Sequence, residues 1–65
     1  MNAEERAAFV NAQSACAQIE AHGMVAENMQ RKALGQPMAY DLNAFAAVIT
    51  KYGIDHNSVV TFMRG

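Results

Sequence analysis

The sequence predicts an all-α protein, one long N-terminal helix followed by two short helices, forming a single domain over residues 1–65. Three observations carry this prediction. Alanine and methionine are abundant while β-branched residues are sparse before residue 48, a composition that favours helix. Apolar or small residues recur three and four positions apart through the first half of the chain, which is the spacing of one helix face. Gly35 followed by Pro37 forms a stop signal, because glycine tolerates the left-handed cap and proline cannot continue a helix.

The first helix opens at Asn2, with Glu5 three residues on. That is the spacing of a capping box, in which two orphan backbone N–H groups are satisfied reciprocally. From there Phe9, Ala12, Cys16, Ile19, Gly23 and Ala26 fall along one face, and the helix is expected over residues 3–34. At 1.5 Å per residue it would be roughly 48 Å long. A compact chain of this size has a radius of gyration of only about 11 Å. Either the helix breaks near His22 and Gly23, or it projects and packs against another chain. No Ser, Thr, Asp or Pro follows Gly23 to start a new helix, and the face continues through Ala26, so a continuous helix is expected. Glycine inside a helix costs about 1 kcal/mol relative to alanine, which close packing against a neighbour could offset.

A loop over residues 35–41 leads to the second helix, expected over 42–52 with Asp41 as N-cap and Leu42, Phe45, Ile49 and Tyr52 as its apolar stripe. Gly53 ends it, with Ile54 placed for the hydrophobic contact of a Schellman-type cap. Asp55 or Asn57 then caps a short third helix over 56–64 that carries Val59, Phe62 and Met63. The expected local core is Leu42, Phe45, Ile49, Val59 and Phe62, with the two short helices closing over one end of the long one. Met24 and Met29 suit irregular gaps.

Length sets the next constraint. A chain of 65 residues buries only about 60% of its unfolded surface, and small scaffolds usually need disulfides, a metal or self-association in addition. Cys16 is the single cysteine, so no internal disulfide forms; with His22 and His56 it offers too few ligands for a structural zinc site. No cofactor or metal is expected. A homo-oligomer is, with Phe9, Ala12, Cys16, Ile19, Gly23 and Ala26 as its interface. The free cysteine fits a reducing cytoplasm. The start, MNAEERAAF, has acidic residues where a secretory signal needs a basic region, and no stretch approaches the roughly 18 apolar residues of a membrane span. A soluble, cytoplasmic protein without membrane partners is expected.

Enzyme chemistry has little to stand on. A nucleophile needs a base within hydrogen-bond reach, yet Cys16 lies on the apolar face and reads as a packing residue. His22 and His56 fall in different helices, and no glycine-rich phosphate loop is present. The polar band around Glu27–Lys32 reads first as a solvated face, in which Glu27 and Arg31 make an i,i+4 pair worth about 0.3–0.5 kcal/mol. Read as a site, Asn28, Arg31, Lys32 and Tyr40 combine a planar cationic fork, a mobile cation, an amide and a stacking ring. That set suits a nucleotide or another small anion.

The stretch AVITKYGIDHNSVVTFMRG has the outline of a helix-turn-helix, the alternative reading of residues 45–64. Asn57, Ser58, Thr61 and Arg64, with Lys51 and His56, would then face DNA. Ile49 stands four residues before the turn glycine, where that motif prefers alanine for close helix approach, and a net charge of −1 lacks the basic excess that phosphate contacts require. A plain helical hairpin accounts for the same pattern.

Residues 11–40, NAQSACAQIEAHGMVAENMQRKALGQPMAY, resemble small uncharacterised accessory proteins of bacteriophages and prophages in an NAQSA–IEA–GM–AEN–R–G–AY arrangement that spans almost half the chain. The resemblance implies a bacterial host cytoplasm and a non-structural role exercised by binding. Such proteins block a host defence factor, or oligomerise into sponges that sequester cyclic-nucleotide signals; the likeness to the sponges is one of size and fold class only.

Overall fold

A computed structural model describes residues 1–65 and is helical throughout its ordered elements, with no strand. Helix α1 spans Ala3–Ala33, α2 spans Leu42–Tyr52 and α3 spans His56–Arg64. The α1 N-terminus carries the full capping box: Asn2 Oδ1 accepts from the Glu5 N–H at 2.8 Å, and Glu5 Oε1 accepts from the Asn2 N–H at 3.1 Å. Glu4 and Glu5 in the first turn and Arg31 and Lys32 in the last both complement the helix dipole. The helix runs through Gly23 unbroken.

Both glycine turns are Schellman closures. After α1, the Gln36 N–H reaches the Arg31 carbonyl at 2.8 Å and the Gly35 N–H reaches Lys32 at 3.1 Å, with Gly35 at φ +71°. After α2, Ile54 and Gly53 repeat the arrangement on Ile49 and Thr50, with Gly53 at φ +64°. Asp41 caps α2 through the Ala44 N–H, and Asp55, rather than Asn57, caps α3 through the Ser58 N–H.

The molecule is a hairpin 49 Å long and 17 by 10 Å across, with a radius of gyration of 15.0 Å. Helices α2 and α3 form one bent rod that returns along α1. Each packs on α1, and their backbones make no close approach to each other. The short helices therefore do not close over one end. They cover α1 from the level of Asn28, which holds Tyr40, down to Phe9, whose ring lies 5.2 Å from that of Phe62.

The core is Ala17, Met24 and Val48, with Ala44, Phe45, Tyr52 and Ile54 packed around them. This corrects two expectations for α2. Leu42 is 83% exposed and Ile49 46% exposed, while Val48 takes the central place. The stripe that faces α1 is thus Ala44, Phe45, Val48 and Tyr52, rotated slightly from Leu42, Phe45, Ile49 and Tyr52. Leu42 is the first residue of the helix and stands on its open side.

On α1 the face covered by the rest of the chain includes Gln13, Ala17, Glu20, Met24 and Asn28. Its first four members follow Ala12, Cys16, Ile19 and Gly23 by one residue each, a rotation of about 100°. The anticipated stripe itself stays open: Cys16 is exposed, Ile19 is 72% exposed, and Ala12, Gly23 and Ala26 are exposed as well. Phe9 alone among them packs within the chain.

Candidate functional site

The two sides of the α1–α2 seam differ in chemistry. One is polar. Lys51 Nζ donates to Glu20 Oε1 at 2.8 Å and lies 5.4 Å above the Tyr52 ring. The hydrogen bond from Lys51 holds the Glu20 carboxyl below its ordinary range, and in return Glu20 raises the Lys51 ammonium above its own. Burial, reinforced by the Glu20 charge, pushes the Tyr52 phenol up. Gln13 Nε2 adds a bond to the Tyr52 carbonyl at 3.3 Å. A shallow depression on this side is lined by Met24, Ala44, Ala47 and Val48, with Glu20, Tyr40 and Lys51 as its polar residues.

The opposite side is an apolar groove in two segments. The first, about 650 Å³, lies between Val25, Asn28, Met29 and Lys32 of α1 and Gln36, Met38 and Phe45 across from them. The second, about 450 Å³, continues between Ser14, Gln18 and Ala21 of α1 and Ile49 and Ile54. Phe45 lines both segments of this groove. Its one charged residue is Lys32, at one end.

The four residues read as an anion site are partly assembled: Asn28 and Lys32 line the same groove segment, while Arg31 and Tyr40 do not. Asn28 is committed to the loop: its Oδ1 accepts from the Ala39 and Tyr40 N–H groups at 2.9 and 3.0 Å, and its Nδ2 donates to the Tyr40 carbonyl at 2.8 Å. Arg31 Nε is paired with Glu27 at 2.9 Å, an exposed i,i+4 bridge of modest worth. Lys32 borders the apolar groove, whereas Tyr40 borders the polar side. Arg31 and Lys32 also stand in the last turn of α1, where the helix dipole is negative and repels an anion. The role of Asn28 as a latch was not visible in the sequence, since nothing local marks a polar helical residue as the partner of a loop eleven and twelve positions on.

The residues of the DNA reading are partly assembled. Asn57, Ser58 and Thr61 share an open face of α3 with Phe62, and Arg64 is not among its lining residues. Lys51 is held by Glu20, and the Asp55 carboxylate occupies the α3 N-terminus by accepting from Ser58, which also keeps it below its ordinary range. The mutual packing of two helices on which a helix-turn-helix depends is not formed, because α2 and α3 rest separately on α1.

No group of three or more His, Cys, Asp or Glu side chains is arranged to hold a metal ion, and no helix is long and apolar enough to cross a membrane. No known protein family matches the sequence, and neither a curated protein nor a solved structure shows significant similarity to it.

Proposed function

We propose that this chain is a non-enzymatic binding module that works as a homo-oligomer and engages a protein partner through apolar helix surface, in the manner of the phage accessory proteins its central segment resembles. One observation carries this reading. Three residues of 65 are buried, while Phe9, Ile19, Val25, Met29, Leu42 and Ile49 are among the large apolar side chains left exposed. Large apolar side chains left open on a small protein favour an interaction surface, and a core this thin calls for support from another chain.

A protein partner fits better than an anionic ligand. Asn28 and Arg31 already have internal partners, and Lys32 and Tyr40 border different sides of the hairpin. A host factor bound by apolar contact, with an anti-defence effect in a bacterial cytoplasm, is the reading retained.

The test is mass in solution by light scattering at two protein concentrations, followed by titration with cyclic nucleotides and with duplex DNA. A stable oligomer that takes up neither ligand is the expected result. A monomer at both concentrations sinks the reading. Saturable nucleotide binding that disappears in a folded Arg31→Ala/Lys32→Ala variant replaces the protein partner with a ligand. Binding to DNA that weakens steeply with salt replaces it with the helix-turn-helix alternative.

A further inference from the structure

We infer that α3 is a hinged cover on the Phe9 end of α1, opening as one unit about Asp55 while the α1–α2 seam stays closed. Its closed position buries little and is held without a directed bond, so the open form lies low among the states of the folded chain. The inference goes beyond the proposed function and does not depend on the oligomeric state.

The two returning helices are fastened to α1 in different ways. Helix α2 places Val48 in the core with Ala17 and Met24. Its last turn is tied by the Glu20–Lys51 pair at 2.8 Å and by the Gln13 bond to the Tyr52 carbonyl at 3.3 Å. Helix α3 contributes no buried residue. Its side chains make no hydrogen bond or ion pair to α1, and its directed bonds are the Asp55 cap and its own backbone ladder. What meets α1 is Phe62, whose ring lies 5.2 Å from that of Phe9 and tilted by 43°, with the Arg6 guanidinium against Gly65 just past the helix. Beneath this contact Phe9 is still 45% exposed.

The joint is also loosely filled. A hollow of about 200 Å³ stands between Phe9, Val10 and Gln13 of α1 and Gly53, Ile54 and Phe62 across from them. Close-packed interiors leave few voids larger than a water molecule, and atoms that line one forfeit dispersion contacts on that side. Dispersion therefore holds α3 less firmly than a filled interface would.

The chain has a place to bend. Ile54 packs against the core and its N–H is bonded to the Ile49 carbonyl at 3.2 Å, so it stays with the seam. Asp55 follows as the α3 N-cap in extended backbone, at φ −68° and ψ 159°. Helices α2 and α3 make no close approach to each other, so rotation at Asp55 breaks no contact between them. A helix of 9 residues is shorter than the roughly 12–15 at which isolated helices become even marginal in water. Once off α1, α3 therefore unravels, and its amides lose protection together. Opening bares Phe9 and Val10 on α1, and on α3 Phe62 with Val59 and Met63, its half-buried neighbours at helical spacing.

Native-state hydrogen exchange on the full chain tests this. Amides of residues 59–63 are expected to be protected at least about tenfold less than those of residues 17–24 and of Val48. Their rates should barely change in low urea, because opening α3 exposes little surface. Equal protection with a shared urea dependence overturns the inference, since the chain then opens only as a whole. Asn28→Asp supplies a second arm, because it loosens the far end of the seam, away from α3. Protection is expected to fall several-fold in the α1 centre and α2 and to stay unchanged in α3. A fall by the same factor in all three helices overturns the inference. Should that variant unfold, the exchange of the native chain decides.

Discussion

The same two helices build both sides of the hairpin seam, yet one side carries an ion pair between them and the other leaves a largely apolar groove open. On the polar side Glu20 and Lys51 meet at 2.8 Å across the two helices. On the apolar side Phe45 and Ile49 line a groove whose far wall is solvent. The difference separates two jobs. Directed polar contacts tell α2 where along α1 to lie, because they work only at one register. Apolar surface carries most of the free energy at about 25 cal/mol per Å², but it is indifferent to register. A chain with three buried residues has its alignment specified internally and much of its apolar surface still unused.

The comparison can be broken first at the loop. Asn28 makes three hydrogen bonds to Ala39 and Tyr40, so Asn28→Ala is expected to lower stability by about 2 kcal/mol in urea unfolding followed by helical circular dichroism. Asn28→Asp keeps both acceptor bonds and loses the donor, and is expected to fall between the two. An Asn28→Ala variant as stable as the native chain would show that the register is set elsewhere.

A smaller effect sharpens the contrast with the small-residue stripe. Nothing lies within 4 Å of a Cβ built on Gly23. Gly23→Ala therefore gains about 1 kcal/mol, the ordinary helix-propensity difference. If the stripe were a close-packed interface, the added methyl would instead weaken the assembly, and unfolding midpoints measured at two protein concentrations would separate the cases.

The smallest effect is the pH dependence of the polar side. Glu20 titrates below its ordinary 4.5 in the folded state, so its contribution is present above that value and is lost as pH falls through the lowered folded one. Lys51 is raised above its ordinary 10.5 and Tyr52 above 10.0, so their contributions are present below those values and are lost as pH rises past them. Melting temperature is expected to be flat between these limits. Glu20→Gln should shallow the acid limb without abolishing it, since Asp55, lowered from 3.8 by Ser58, still loses its cap on protonation. An unchanged acid limb in Glu20→Gln would remove the pair from the stability of the seam.

Much of the fold was legible in the residues themselves. Asn2 with Glu5, Asp41, Asp55, Gly35 and Gly53 each act on backbone groups within a few positions, and such local chemistry marks where helices start and stop. The packing face was not legible. Alanine is spread around α1, so a three-and-four spacing fits more than one face, and the stripe beginning at Phe9 matched as well as the true seam one residue on. Gln13, Glu20 and Asn28 look like solvent positions, yet each reaches a partner on the returning rod.

By itself, then, the sequence determined three helices, their ends and a continuous α1 through Gly23, because capping and propensity are short-range. Tertiary structure alone decided that α2 and α3 return along the length of α1, that Val48 rather than Leu42 and Ile49 fills the core, and that an apolar groove opens beside Phe45. Those outcomes depend on which faces meet, and a rotation of about 100° between neighbouring residues makes them sensitive to contacts that sequence spacing does not record.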